Sequence, residues 1–430
     1  MMLRRFVLFI FVFSGLILPS GSLFGEVPLR AGQSVKPTEK ATSTQVQIST
    51  TPGLNAFTPE QIVTIQGQSP DYAGKEITFY TYREPISRLQ TKLAKTKIGQ
   101  DGQFKLTFPV SQTIEIYADL EKFRGTLVVE PAANYQITLP PFSPRTVQEA
   151  ASPYFEPQLF WFGLKETKAT EINFLVRAFL TEYNRELSVH TLDIYQRKSA
   201  DTAKAIISRL EKSFPTGKEV YLNLLKLYSF AELELSIYQG DKDRIIQKYF
   251  ASREIALSHP AYQRLFNTLF SDFLMIKSQD IRQKNSYITA FQGDFKGFVN
   301  ILKQSGFHED VAEIVAIKCF YDGYYSGKFA KKLMLKGIKE AMDLAECQAL
   351  KEVLPSIIGK MDQLQAGSQA PVLSLRNEQN VKTSLSAKGK FVYLAFFRGD
   401  SKACRAELDS LVDIYKKINP IRHMLKKSFL

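Results

Sequence analysis

Between residues 45 and 142 apolar side chains fall on alternate positions. Val63 and Ile65 begin the pattern, and Ile77, Phe79 and Thr81 repeat it. Phe104, Leu106 and Phe108 follow, then Ile114 with Ile116, Leu127 with Val129, and Tyr135, Ile137 and Leu139. A period of two with β-branched and aromatic enrichment predicts half-buried strands. Ser69-Pro70-Asp71, Asp101-Gly102 and Ala133-Asn134 separate them as turns. Six or seven short antiparallel strands in about 95 residues predict an antiparallel β-sandwich. No polar constellation within it points to catalysis, so a binding or spacer role is the default.

From 146 to 365 the period lengthens. Ile172, Leu175, Val176, Phe179, Leu180, Tyr183 and Leu187 share one helical face. Tyr221 to Tyr238 is apolar too widely for a single buried face, which predicts a helix covered on more than one side. Further helices are expected near 199–213, 242–256, 260–278, 308–322, 327–346 and 348–358, punctuated by Ser258-His259-Pro260 and by Gly323 with Gly327. This is an all-helical middle domain. Helix pairs recurring roughly every 35–40 residues leave a TPR-like array open, although that family's small-residue pattern is missing.

The N-terminus changes the picture of where the chain works. Arg4 and Arg5 precede a 13-residue apolar run, Phe6 to Leu18, followed by Pro19, Gly21, Ser22 and Gly25. Basic start, apolar middle and small-residue exit predict a secretory signal peptide over 1–25, the run being shorter than the ~20 residues a spanning helix needs. No cysteine near the exit offers a lipid anchor. Residues 26–44 read as a linker. The mature chain is therefore expected in the periplasm or cell envelope.

Composition narrows the chemistry. Three cysteines exclude a disulfide scaffold and a Cys-rich zinc array, and four scattered histidines leave no material for a dedicated metal site. His190, His259, His308 and His423 are read as structural. HExxH, GxSxG, P-loop and GxGxxG patterns do not occur, so neither a metal nor an organic cofactor is expected. If 308–322 and 327–346 form a hairpin about Tyr325, Cys319 and Cys347 lie roughly 24 Å apart along its axis. A bridge needs Cα atoms within about 7 Å, so both are expected as free thiols. The net charge of +13 falls to +11 without Arg4 and Arg5, and residues 382–430 hold +7 of it, from 11 Lys+Arg and 4 Asp+Glu. In an exported protein without a nucleic-acid motif this basicity predicts a solvated surface, or weak contact with an anionic membrane surface or polymer.

From Gly367 the text changes again. Gly367 with Ala370-Pro371, Ser384-Leu385, Lys388-Gly389-Lys390, the apolar run Phe391 to Phe397 and Cys404-Arg405-Ala406-Glu407 stand in that order. In these residues the chain resembles the TlpA-like branch of the thioredoxin superfamily, related to the AhpC/TSA redoxins. The layout of sandwich, helical middle and C-terminal thioredoxin-like segment also resembles envelope proteins of that kind. The resemblance implies a central parallel strand at 391–397 and a helix bearing the active cysteines, over 367–430. It departs from the family in two ways. Ser401 occupies the place of the first, nucleophilic cysteine of Cys-x-x-Cys, and Asp400 replaces a tryptophan before it. A serine hydroxyl does not ionise near neutral pH, and Cys404 alone cannot resolve a mixed disulfide within the chain. A complete thioredoxin fold would need a further ~80–100 residues beyond Ile418, with the cis-proline hairpin, so the segment reads as a truncated, partial β-α unit.

The chain is thus expected to be an α+β multidomain protein of 1–25, 26–44, 45–142, 146–365 and 367–430. Its implied role is that of a redox-degenerate envelope protein that binds or scaffolds, meeting envelope proteins or thiol partners. Thiol–disulfide exchange at Cys404 and an unrelated helical binding module are the alternatives.

Overall fold

A computed structural model describes residues 59–152, 154–165, 168, 170–238, 241–279, 287–363, 367–369, 374–376, 382–384, 401–411 and 414. The chain is α+β. It divides into two compact units, one of residues 46–369 and one of 1–45 with 370–430.

In the first unit two sheets face each other. The four-stranded sheet runs β4 (Gln103–Val110), β1 (Gln61–Gln68), β7 (Asn134–Thr138), β9 (Gly163–Leu164). The five-stranded sheet runs β3 (Gln90–Lys97), β2 (Glu76–Tyr82), β5 (Ile114–Leu120), β6 (Phe123–Val129), β8 (Gln158–Trp161). The alternating apolar positions interdigitate between them, with Val63, Ile65, Ile77, Phe79, Ile116 and Ile137 fully buried. The expectation of an antiparallel sandwich needs correction: both sheets are mixed. β1 lies parallel to β7, and β6 lies parallel to β8. Strands far apart in sequence meet here by long connections, which local alternation does not encode. The sheets also draw in β8 and β9, beyond residue 142. Between these two strands the chain crosses from one sheet to the other at Phe162, whose ring is buried in the sandwich core. Gly125 makes room for it, since a Cβ there would stand 2.4 Å from that ring.

The helices form a second core. α2 (Ile172–Val189), α3 (Thr191–Tyr195), α4 (Ala200–Ser213), α5 (Val220–Ile237) and α6 (Lys242–Tyr249) are followed by α7 (Pro260–Phe270), α8 (Phe273–Gln279), α9 (Ile288–Phe291) and α10 (Phe295–Gln304). α11 (Glu309–Ser326), α12 (Lys331–Leu344) and α13 (Gln348–Asp362) complete it, with a short α1 (Val147–Ala151) before β8. α5 buries Leu222, Leu225, Tyr228 and Leu233 around its circumference, and every residue of α11 from Val311 to Phe320 is buried. Both are the central helices that a wide apolar surface demands. The expected helix at 242–256 stops at Tyr249. The one at 260–278 breaks at Ser271 and Asp272, where Asp272 adopts φ +56°. Acidic and hydroxyl side chains close helix starts. Ser199, Asp241 and Asp294 each accept an N–H three residues on.

Two carboxylates hold loops rather than helix interiors. Glu313 on α11 accepts the N–H groups of Glu346 (2.7 Å) and Cys347 (3.1 Å), anchoring the start of α13. Glu84 accepts the N–H groups of Ile86 and Ser87, at 2.5 and 2.9 Å, and so shapes the loop between β2 and β3. That loop pushes Ile86 into the helical core. Asn267 on α7 donates to the Pro85 carbonyl at 2.9 Å, and Lys360 on α13 donates to the Ser87 carbonyl. Cys319 and Cys347 are buried free thiols. Burial pushes the Cys347 thiol up to about 11 and raises Cys319 as well.

In the second unit, β10 (Ser374–Arg376) and β11 (Lys382–Ser384) pair antiparallel, and residues 402–411 are helical.

Candidate functional site

The helix at 402–411 opens on the two residues that carry the chemical interest. The Ser401 carbonyl accepts the Arg405 N–H at 3.1 Å, and its hydroxyl accepts the Cys404 N–H at 3.4 Å. Ser401 is therefore the cap of this helix, and the two side chains share its first turn, both half-buried. A hydroxyl here satisfies an orphan amide of the first turn. It supplies no thiolate for exchange. The expected strand at 391–397 lies outside the described residues, as do Ala370, Pro371 and Asp400. The expected signal peptide over 1–25, the expected linker over 26–44 and His423 also fall outside them.

The first unit holds a set of polar groups that sequence reasoning did not bring together, and of its histidines only His259, read there as structural, belongs to it. The outer face of the five-stranded sheet is covered by helices at the Glu115 end. Glu115 alternates with the core residues Ile114 and Ile116 and so points to the helices. Its carboxylate is enclosed although the residue keeps some surface, and it takes a long hydrogen bond, 3.4 Å, from the Tyr221 hydroxyl on α5. Burial drives its pKa up to about 7, opposed by Arg264 on α7 and by the Tyr221 bond. Arg264 is itself turned to Glu232 at 3.3 Å. Beneath them His259 is fully enclosed, with Nε2 3.1 Å from the Tyr221 carbonyl and its ring 4.5 Å from that of Tyr221. Burial pushes its pKa down to about 3, so the imidazole is neutral and structural. Glu130, just past β6, is also raised, first by burial and then by Glu219 and Glu171 nearby.

Further hydrogen bonds across this joint come from neutral side chains and one lysine. Asn173 on α2 accepts the Val128 N–H at 2.7 Å and donates to the Val128 carbonyl at 2.8 Å. Gln263 on α7 donates to the Tyr82 carbonyl at 3.0 Å, and Gln112 donates to the Ser258 hydroxyl at 3.0 Å. The lysine is Lys360, already placed on the β2–β3 loop. In sequence each of these polar residues looks like an ordinary outward position of a strand, turn or helix, and no spacing rule flags it.

Elsewhere among the helices a cavity of about 330 Å³ is lined by Ile246, Phe273, Ile301 and Phe307, with Asp243 and Lys277 at one side. The Lys277 ammonium sits 2.6 Å from Asp243, so the two charges satisfy each other. Lys226 on α5 is different: its Nζ is buried without a hydrogen-bond partner. Burial lowers its pKa, with Glu211 pulling the other way. A base with a lowered folded-state pKa loses stability as pH falls through its ordinary range, so at neutral pH Lys226 already weakens the fold. Lys226→Met, of similar length and without the charge, is expected to raise stability by about 1 kcal/mol in urea unfolding at pH 7.

Among the described residues, no group of three His, Cys, Asp or Glu is placed to hold a metal, and no helix is long and apolar enough to cross a membrane. No family model matches the chain, and no curated protein matches it.

Proposed function

We propose that this chain is an exported cell-envelope protein of TlpA-like descent whose redox centre has degenerated, and that it binds or scaffolds rather than catalyses. The observation that carries this reading is Ser401. One helical turn before Cys404, where a nucleophilic thiolate would stand in a redox-active relative, a hydroxyl caps the helix at the Cys404 amide. Thiol exchange needs a thiolate to attack and a neighbouring thiol to release the mixed disulfide. Ser401 supplies neither. The first unit supports the binding half of the reading: a mixed sandwich fixed to a large helical body is a rigid carrier of surface. Its partners would be envelope proteins or thiol-bearing proteins, with weak contact to an anionic membrane surface through the basic excess after residue 382.

The test is insulin reduction by dithiothreitol. The full chain is expected to leave the rate at its uncatalysed value. Cys404 is expected to accept iodoacetamide without supporting turnover. Ser401→Cys, which restores a dithiol spacing, is the informative control: a gain of activity in that variant alone supports descent from a redox enzyme. Wild-type reduction well above background that vanishes in Cys404→Ala would establish thiol–disulfide exchange at Cys404 instead.

A further inference from the structure

The joint between the five-stranded sheet and the helices contains one enclosed carboxylate, Glu115, facing neutral hydrogen-bonding groups and one arginine, Arg264, that is shared with Glu232. From α5 the Tyr221 hydroxyl reaches Glu115 at 3.4 Å. From the start of α7 come His259, which burial keeps neutral, and Arg264, which is engaged with Glu232. Along the sheet, Tyr117 stacks on Tyr82 with centroids 5.1 Å apart, and the apolar Val128 lies opposite Glu115 on β6. At the same end of the joint Glu130 lies near Glu171 and Glu219, the residues that precede α2 and α5. No unshared cation offsets Glu115 among these neighbours. A carboxylate in such a place is tolerated neutral and repelled when ionised.

We infer that the sheet–helix joint is a proton-operated latch, closed while the Glu115 carboxyl is protonated and loosened when it ionises. The elements it releases are the starts of α5 and α7 and the β5–β6 ribbon, held together by Glu115, Tyr221, His259 and Gln263. The inference is independent of any redox chemistry at Cys404, since it concerns the first unit alone.

The sign follows from linkage. In the closed joint Glu115 titrates near 7, and once the joint opens it returns to an ordinary carboxylate value and gives up its proton. Opening therefore becomes easier as pH rises through the interval between the two values, and is insensitive to pH above it. The experiment is native-state amide exchange on the full chain at pH 5.5 and pH 8.0, corrected for intrinsic exchange. Protection at 223–225, His259 and Gln263, whose amides are hydrogen-bonded, is expected to fall by on the order of ten-fold at the higher pH, with β1 and β4 unchanged. Glu115→Gln, an uncharged isostere, is expected to keep the pH 5.5 protection at both values. Tyr221→Phe removes the donor that favours the ionised form, and is expected to move the transition to higher pH without abolishing it. Equal protection at the two pH values in the wild type, or an unchanged transition in Glu115→Gln, would overturn the latch.

Discussion

Replacing Asn173 by alanine is expected to cost about 3 kcal/mol and to loosen α2 from the sheet. The reason lies in how β6 ends. β8 pairs with β6 only as far as Thr126, where Phe162 donates to the Thr126 carbonyl at 3.1 Å before the chain leaves for the other sheet. The next backbone groups on that edge of β6, the Val128 N–H and carbonyl, have lost their strand neighbour. The Asn173 carboxamide takes its place, accepting from one and donating to the other within 2.8 Å. Glu171 accepts the second amide proton at 2.6 Å and so fixes which way the amide faces. Alanine would leave two buried backbone groups without partners, each worth roughly 1–3 kcal/mol. Asn173→Asp is expected to be worse. It keeps the acceptor but loses the donor, and it adds a buried negative charge beside Glu171. The single tryptophan, Trp161 at the end of β8, packs against the helical core and reports the loss by fluorescence in a urea titration. A variant with wild-type midpoint would show that water replaces the amide at no cost.

Parts of this architecture were legible in sequence and parts were not, for physical reasons. Six strands of the sandwich announce themselves because their core-facing positions are apolar at every second residue, which local alternation records even where helices cover the outer face, as at Tyr117 and Val128. β3 does not, because Lys92, Lys95 and Lys97 interrupt it and none of its residues is buried. It is an edge strand, and edge lysines discourage pairing with another chain. The parallel pairings of β1 with β7 and of β6 with β8 depend on residues tens of positions apart, and no local period encodes them. α5 and α11 could be read as buried because they are apolar all round. The break between α7 and α8 could not, since Leu269, Phe270, Phe273 and Leu274 carry the apolar pattern straight across it. At the helix that starts after Ser401 the sequence already showed serine three residues before Cys404, and the capping bond adds a structural reason for serine there. At the sheet–helix joint the sequence held nothing comparable. Glu115 and Asn173 matter through partners 106 and 45 residues away, so only the folded chain makes them a site.

Gly293→Ala is expected to destabilise the first unit by about 3 kcal/mol or more, far beyond the effect of the same change at Gly327. Both glycines adopt left-handed backbone, with φ +66° and +69°. Alanine in that conformation costs roughly 1–2 kcal/mol wherever it occurs. The sites differ in what a methyl group would meet. At Gly327, which closes α11, nothing lies within 4 Å, so the conformational cost is the whole cost. Gly293 turns the chain from α9 to α10 directly against α12, and a Cβ would stand 2.2 Å from the Leu333 carbonyl oxygen and 3.3 Å from the Gly337 nitrogen. Those atoms are helix backbone and cannot rotate away as a side chain would. Either α12 shifts as a body or the turn abandons its geometry, and both disturb neighbours on each side. Gly337 lies so close to the Phe320 ring of α11 that it too has no space for a Cβ. A displaced α12 would therefore carry the strain into the central helix, whose interior is packed too densely to absorb it. Thermal unfolding of the two single variants gives the comparison directly. The expected order is wild type, then Gly327→Ala slightly lower, then Gly293→Ala well below both. Equal midpoints for the two variants would mean that the backbone torsion alone sets the cost, and that α10 and α12 are not held as closely as the structure places them.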